Sequence, residues 1–296
     1  MKTPIIRCLL TAALAAIPGA IQAQPDAHYA PGLEGIKGAS LPPPGFYFKD
    51  YNYFYVAEQV NNAAGQSAGP ANFQALTYVN APRAIWITDT KFLGGNVGVD
   101  GLLPLAYQSV QAGPYDSSTF GVGDFFAEST LSWHLKQFDF AAGAGVWMPT
   151  GDSASPPTTR VGSGFWTPML TAGATWYPDE AKTWAVSALS RYEFNTKQRD
   201  THDTPGQAYT LEWGISKSVT KTIDLGVVGY YQQRVTASSG PVPGEFPYSR
   251  VAAVGPEIVY TIPSAMLFVS LRYDYEFMAE NRAQGHTVAL TLTKRF

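Results

Sequence analysis

The chain has 296 residues, of which 23 are acidic and 20 are basic, and its formal net charge is −3 at pH 7. This balance argues against a protein that binds nucleic acid by electrostatic attraction. Charged residues make up 15% of the chain and aromatic residues 14%; ordinary soluble domains have roughly 25% charged residues. The composition therefore favours either a soluble β-protein or a membrane β-barrel.

The first 23 residues have the pattern of a secretory signal peptide. Lys2 and Arg7 precede an apolar run over residues 8–20, and small residues lead to a cleavage point after Ala23. The run is too short for a membrane-spanning helix. Cys8 is the only cysteine, so we expect the mature chain to have neither disulfides nor thiol chemistry.

Residues 24–44 form a lead-in that is rich in Gly, Ala and Pro and has no hydrophobic period. Its three consecutive prolines, Pro42 to Pro44, favour extended chain and disfavour a helix. We interpret this segment as irregular. The sequence leaves open whether this segment is periplasmic or partly plugs the lumen of the folded domain.

Alternating apolar and polar residues then predict about twelve strands of roughly ten residues, the length that crosses a bilayer when a strand is tilted. They cover residues 46–56, 73–88, 96–109, 120–135, 138–148, 165–177, 183–194, 208–218, 222–235, 248–261, 265–278 and 287–296. No stretch of useful length has helical periodicity.

The connections between these strands alternate between long and short. Long ones such as 149–164 are rich in Gly, Pro and Ser, whereas short ones such as 136–137 are tight turns. A soluble sandwich would not need to keep its long loops at one end, but bacterial outer-membrane barrels do. We therefore predict an all-β fold, an up-and-down antiparallel barrel of about twelve strands over residues 45–296, in the outer membrane of a Gram-negative bacterium.

The last strand ends on Phe296 with no polar tail. In a closed barrel the last strand must pair with the first, which explains why no frayed end follows. Leu290, Leu292 and Phe296 also have the spacing of an outer-membrane assembly signal, in which Lys294 is a departure. We expect the barrel-assembly machinery, outer-membrane lipids and lipopolysaccharide to be partners, and nucleic acid not to be one.

The faces of the strands follow from the cost of placing charge in lipid, about 2–4 kcal/mol for a basic side chain at the midplane. The polar parity must therefore point inward, where it would line a pore or fill a narrow lumen with paired charges. The residues predicted on this face are Asp100, Asp124, Glu128, Arg191, Glu193, Glu212, Asp224, Arg234, Glu257, Arg272, Asp274 and Glu276. The first strand has polar residues on both parities, and we expect a bulge at Ala81–Pro82 to re-phase the second.

Three stretches carry a resemblance to a known family: "GLEGIKGASLPPPGFYFKDYNYFY", "FLGGNVGVDGLLPL" and "GVGDFFAESTLSWHLKQFDFAAGAGVWMPTGD". The sequence resembles the proteobacterial outer-membrane family associated with degradation pathways for phenol and related aromatic compounds. Gly123–Asp124 and Pro149–Gly151 are the most specific parts of the likeness. The resemblance implies an outer-membrane barrel that takes up small hydrophobic or aromatic compounds.

Catalysis is not indicated by any motif. Ser132 and His134 share one face of a strand, as in some membrane lipases, but no orienting acid is evident. The four histidines lack metal-ligand spacing, and we expect no cofactor or metal. Three functions remain: passive uptake of small hydrophobic or aromatic molecules, a structural or adhesive barrel, and, least favoured, a lipase-type enzyme.

Overall fold

The computed structural model describes residues 27–153, 159–241 and 248–296, so the predicted signal peptide lies outside the described residues. Within these ranges the chain forms fourteen strand segments. They are β1 Gly45–Val60, β2 Gln74–Phe92, β3 Gly95–Leu102, β4 Leu105–Ala112, β5 Tyr115–Val122, β6 Phe125–His134, β7 Phe138–Met148, β8 Thr167–Trp176, β9 Trp184–Glu193, β10 Ala208–Ser218, β11 Ile223–Arg234, β12 Arg250–Ile262, β13 Leu267–Glu280 and β14 Ala283–Arg295. None of the described residues forms a helix with the length and apolar character needed to traverse a membrane.

The fourteen segments make twelve barrel strands. Segments β3 and β4 pair in turn along β2 and act as one strand, which is interrupted at Leu103–Pro104 opposite Pro82. Because neither proline has an N–H group, the ladder is weakest there. Segments β5 and β6 likewise act as one strand, interrupted at Gly123–Asp124, and pair with β4 and β3 respectively.

The barrel is closed by antiparallel pairing of β1 with both β2 and β14. Every other strand pairs with its neighbours in sequence. The predicted twelve-stranded up-and-down antiparallel barrel is therefore confirmed.

The two ends of the barrel differ in their connections. One end has the turns at 93–94, 135–137, 177–183, 219–222 and 263–266, together with both ends of the barrel chain. The opposite end has connections 61–73, 149–166, 194–207 and 235–249. Two of the predicted long loops are instead tight hairpins at 113–114 and 281–282, because the strands beside them continue further than expected.

The outer wall is apolar and the inner wall is largely polar. On β13, Leu271 and Phe277 are 49% and 57% exposed, whereas Arg272, Asp274 and Glu276 are at most 2% exposed. An exposed apolar belt around a closed barrel is suited to lipid and not to water. The predicted assignment of apolar residues to the outside is therefore correct for this strand.

The second strand departs from the expectation. The register between β1 and β2 is unbroken through Ala81 and Pro82, so the predicted bulge is wrong, and the irregularity lies further along, opposite β3, between Ile87 and Lys91. Arg83 and Ile85 both line the lumen, and Trp86 is 56% exposed on the outside. The inner wall therefore includes aliphatic side chains as well as charges.

On β1, one set of alternating residues is polar and nevertheless faces outward. Asn80 Nδ2 donates to Asp50 Oδ1 at 2.9 Å, and Tyr78 Oη donates to Asn52 Oδ1 at 2.9 Å, across the β1–β2 pair. These outward polar groups bond to one another, which lowers the cost of placing them in the wall. The opposite parity, which includes Lys49 and Tyr51, faces the lumen.

Phe296 completes the closure of the barrel. Its backbone N–H donates to the Phe46 carbonyl at 3.0 Å, and the centroids of the two rings are 5.8 Å apart. The ammonium group of Lys294 donates to the Ala265 carbonyl in the neighbouring turn and lies 5.9 Å from the Phe296 ring centroid. A lysine at this apolar position is tolerated because it reaches the membrane edge.

Candidate functional site: the plugged lumen

Residues 27–44, which we call the plug, lie inside the barrel. Ala27, Tyr29 and Ala39 are 3%, 5% and 0% exposed. The plug has no regular secondary structure. Two turns within it pair the Gly38 N–H with the Gly35 carbonyl and the Ser40 N–H with the Lys37 carbonyl, and the other backbone groups need partners from elsewhere.

Carboxylates of the barrel wall accept hydrogen bonds from the plug backbone. Glu193 Oε1 accepts from Tyr29 N–H at 3.0 Å, Glu212 Oε1 from Glu34 N–H at 3.0 Å, and Glu257 Oε2 from Ile36 N–H at 2.7 Å. Where the acceptor is ionised, such a hydrogen bond contributes about 1.5–3 kcal/mol. The predicted lumen carboxylates therefore hold the plug in one position.

Wall side chains also donate to carbonyl oxygens of the plug, as Gln232 Nε2 does to the Tyr29 carbonyl at 3.0 Å. Arg272 Nη2 donates to the carbonyl oxygen of Leu33 at 3.0 Å, while its other atoms lie 3.6 Å from Glu257 Oε2 and 3.5 Å from Asp274 Oδ2. Arg272 thus joins two strands of the wall to the plug.

Each charged or titratable side chain in the plug has a partner on the wall. His28 Nε2 donates to Asp124 Oδ2 at 2.8 Å, and Lys37 Nζ donates to Asp224 Oδ2 at 2.7 Å. Glu34 Oε2 accepts from Lys49 Nζ at 2.5 Å. Because unpaired charges are costly away from water, these pairs favour the plugged state.

Glu34 is the most highly connected of the three. Its Oε1 atom also accepts from Tyr51 Oη at 2.7 Å and from Arg83 Nη1 at 3.3 Å, and Arg191 Nη2 lies 3.8 Å away. Glu34 belongs to the plug and not to a membrane-spanning strand. Burial alone would raise the pKa of its carboxyl group, but Lys49, Arg83 and Arg191 lower that pKa to about 2.

Two glycines allow the plug to approach the wall closely. A Cβ atom on Gly35 would lie 2.0 Å from Glu257 Oε2, and one on Gly226 of β11 would lie 2.5 Å from Cγ2 of Ile36. Both positions therefore need glycine for space.

Asp124 explains the Gly123–Asp124 and Pro149–Gly151 motifs. Its carboxylate accepts the Gly151 N–H at 2.9 Å and the Ser163 N–H at 2.7 Å, in addition to the His28 imidazole. His28 in turn stacks on Trp147 with the ring centroids 5.7 Å apart. One carboxylate thus joins the start of the plug to the long connection between β7 and β8.

A cavity of about 390 Å³ lies on the other side of the plug, towards the end with the short turns. Its lining combines aliphatic side chains such as Leu33, Ile85 and Leu189 with charged ones such as Lys49 and Arg83. This volume is within the ~300–1,000 Å³ range of small-molecule pockets.

The structure places the predicted inward residues in three groups. Six bind the plug directly: Asp124, Glu193, Glu212, Asp224, Glu257 and Arg272. Arg191 stacks on the ring of Tyr29 at 4.1 Å and pairs with Glu212 at 2.5 Å. The others bind mainly wall residues: Asp100 and Glu128 pair with Arg83, Asp274 lies beside Arg272, Glu276 accepts from Tyr55 and Tyr230, and Arg234 is half-buried near the end of β11.

Sequence reasoning missed His28, Glu34, Lys37, Lys49 and Arg83. The signal for the first three was available, because they are the charged or titratable residues of residues 27–44, a segment otherwise poor in such groups. Lys49 and Arg83 were hidden because polar residues occur on both faces of β1 and aliphatic ones on the inner face of β2. Their roles as pore lining, like those of the twelve predicted residues, stay predictions.

An acidic residue, which the sequence did not reveal, lies beside His134 of the Ser132–His134 pair. Asp139 Oδ1 of the adjacent strand lies 3.1 Å from His134 Nδ1. However, the buried hydroxyl of Ser132 has no hydrogen-bond partner among the described residues, and so it does not bond to His134. Within the described residues, no cluster of three or more His, Asp or Glu side chains could hold a metal ion.

The family described as "Putative MetA-pathway of phenol degradation" matches residues 57–292. The chain belongs to this family. The match covers most of the barrel, including the Asp124 and Gly151 motifs that fasten the plug. No protein with a curated description matches the chain.

Solved structures confirm the fold. An outer membrane channel from Pseudomonas putida F1 is 15% identical, with a TM-score of 0.77, and the match covers 90% of this chain and all of that one. The β domain of the Bordetella autotransporter BrkA is 11% identical, with a TM-score of 0.54 and coverage of 86% and 100%. The translocator domain of the autotransporter NalP from Neisseria meningitidis is 11% identical, with a TM-score of 0.50 and coverage of 88% and 91%. The closed barrel with its apolar outer belt is an outer-membrane barrel.

Proposed function

We propose that the protein is an outer-membrane channel through which small hydrophobic or aromatic molecules enter by passive diffusion. The observation that carries this proposal is the plug. Small barrels are usually filled by the side chains of their own strands. Here a separate segment fills the lumen, and hydrogen bonds to the wall hold it there. Solutes then pass when this segment leaves its position.

The cavity supports the choice of solute. Aliphatic groups of Leu33, Ile85 and Leu189 lie close to the charged groups of Lys49, Arg83 and Arg191 in the same lining. A small molecule with one apolar part and one polar group fits such a surface better than a fully polar sugar or a long alkane. Membership in a family associated with phenol degradation supports the same class of solute.

The outer surface supports the partners of such a channel. The exposed apolar belt suits outer-membrane lipids and lipopolysaccharide, and the alternating Leu290, Leu292 and Phe296 suit recognition by the barrel-assembly machinery. Neither a catalytic reaction nor adhesion is part of this proposal.

Uptake by intact cells tests the proposal. A Gram-negative host that lacks its major porins would express the protein, and the initial uptake of radiolabelled phenol would be compared with that of the empty host. We expect faster uptake at low phenol concentration and no gain for a labelled disaccharide. Uptake equal to that of the empty host, at the same level of correctly inserted protein, would instead favour a structural or adhesive barrel.

A further inference from the structure

The surroundings of Glu34 are those of a bound carboxylate ligand. Lys49 Nζ, Tyr51 Oη and Arg83 Nη1 approach its two oxygens at 2.5, 2.7 and 3.3 Å. The three donors come from the inner face of two adjacent strands, β1 and β2. They converge on a group that belongs to neither strand but to the plug.

The cations of this site differ in what else they contact. Arg83 also pairs with Asp100 at 2.8 Å and Glu128 at 3.2 Å, and Arg191 pairs with Glu212 at 2.5 Å. Among the described residues, the carboxylate that pairs with Lys49 is that of Glu34. Departure of the plug would therefore leave Lys49 and Tyr51 without the carboxylate that they now contact.

The site also opens onto the cavity. Lys49, Arg83 and Glu34 all line it, together with the aliphatic side chains of Ile85 and Leu33. A ligand whose carboxylate replaced that of Glu34 could place an apolar body against these aliphatic groups. Charge-assisted hydrogen bonds of this kind are about twice as strong as neutral ones.

We propose that Lys49, Tyr51 and Arg83 form a binding site for the carboxylate of a small aromatic acid, and that Glu34 of the plug occupies this site as an internal substitute for the ligand. The inference rests on the proposed function in one respect, since it takes the lumen to be the path of the solute. It goes beyond that function by giving the ligand a charged group and a fixed position. Ligand and plug then compete for the same donors.

The test measures binding to the purified full-length protein in detergent, with benzoate as the probe and benzyl alcohol as its uncharged counterpart. Glu34→Gln removes the competing carboxylate but keeps the shape of the plug. We expect this variant to bind benzoate at least tenfold more tightly than the wild type, and benzyl alcohol no more tightly. Isothermal titration calorimetry gives both dissociation constants.

A second substitution separates a binding site from a loosened plug. In the Glu34→Gln background, Lys49→Met should abolish the gain for benzoate. Lys136→Met is the control, because it removes an exposed lysine that pairs with Glu180, and it should preserve the gain. Glu34→Ala serves in place of Glu34→Gln if the latter does not show the heat-modifiable migration of a folded barrel.

Three results would overturn the inference: equal benzoate affinity in the wild type and both Glu34 variants, an equal gain for benzyl alcohol, or a gain that survives Lys49→Met. These results are independent of transport. A channel that fails to accelerate phenol uptake in cells would refute the proposed function, yet the calorimetric comparison would still decide whether the carboxylate site exists.

Discussion

Glu257 and Gly35 are in such close contact that the wall and the plug fit together at this point only because residue 35 has no side chain. The N–H of the next residue, Ile36, donates to Glu257 Oε2 at 2.7 Å, and a Cβ atom on Gly35 would lie 2.0 Å from the same oxygen. The carboxylate is also fixed from the wall side by the hydroxyl of Ser270 at 2.5 Å. It therefore has little room to retreat.

Gly35→Ala should loosen the plug. The added methyl group must displace either Glu257 or the plug backbone, which would break a hydrogen bond to an ionised group that contributes about 1.5–3 kcal/mol. Since 1.4 kcal/mol is a factor of ten in an equilibrium constant, we expect the open fraction in planar-bilayer recordings to rise about tenfold or more. Ala63→Ser, which adds one atom to an exposed residue in the connection after β1, is the control and should leave the recordings unchanged.

Arg272→Ala should both loosen the plug and change the ion preference of the open state. The substitution removes the donor to the Leu33 carbonyl and leaves Glu257 and Asp274 without their nearest cation. An excess of carboxylates along the lumen favours cations over anions. Reversal potentials in a salt gradient should shift towards cation selectivity relative to the wild type.

The control for this variant is Arg250→Ala, because Arg250 pairs with Glu280 away from the lumen, and its side chain is 47% exposed. Identical conductance and ion preference for wild type and Arg272→Ala would show that this face of β13 does not line the conduction path.

Asp124→Asn should weaken the attachment of the long connection between β7 and β8 to the rest of the barrel. An amide oxygen can replace only one of the two carboxylate oxygens that accept the Gly151, Ser163 and His28 donors. When a protease is added to intact cells, we expect it to cleave the variant within residues 149–166 faster than the wild type. Asp89→Asn, an exposed carboxylate near the opposite end of the barrel, should leave the cleavage rate unchanged, and equal cleavage of both variants would contradict the role given to Asp124.

Deletion of Phe296 should impair insertion into the outer membrane. The deletion removes the hydrogen bond to the Phe46 carbonyl and the ring contact that close β1 against β14. The amount of heat-modifiable protein in the outer-membrane fraction is expected to fall several-fold. Phe296→Tyr keeps an aromatic ring and should insert normally; normal insertion of the deletion variant would show that the terminal residue is dispensable.

The sequence was sufficient to predict the barrel because a lipid-facing wall imposes a strict rule on every second residue. On β13 this rule separates Leu271 and Phe277 from Arg272 and Asp274 without ambiguity. It also placed most of the twelve predicted charges on the inner wall. The rule was less informative on β2. There the apolar residue Ile85 faces inward, because the inner wall need not be polar.

The position of the plug could not be predicted, because residues 27–44 have no period and irregular backbone leaves no pattern in sequence. What fixes the plug is a set of long-range contacts, such as Glu34 with Lys49 and His28 with Asp124. Each needs the barrel to be closed before its partners come together. The partners of the wall charges in the plug were therefore not foreseen, and the role of those charges in lining a pore stays a prediction.

If solutes pass only when the plug leaves its position in the lumen, a reversible cross-link between plug and wall should block their passage. The Ala39 N–H donates to Ser187 Oγ at 3.1 Å, so cysteines at the two positions can approach each other. The sole native cysteine, Cys8, lies in the predicted signal peptide. Ala39→Cys combined with Ser187→Cys should therefore form one defined disulfide, and each single substitution is a control.

The measurement is the conductance of the double variant in a planar bilayer before and after addition of a reductant. We expect a closed channel when the disulfide is formed and wild-type openings once it is reduced, with no response to the reductant in either single variant. Equal conductance in the oxidised and reduced states, with the disulfide verified by mass spectrometry, would contradict it.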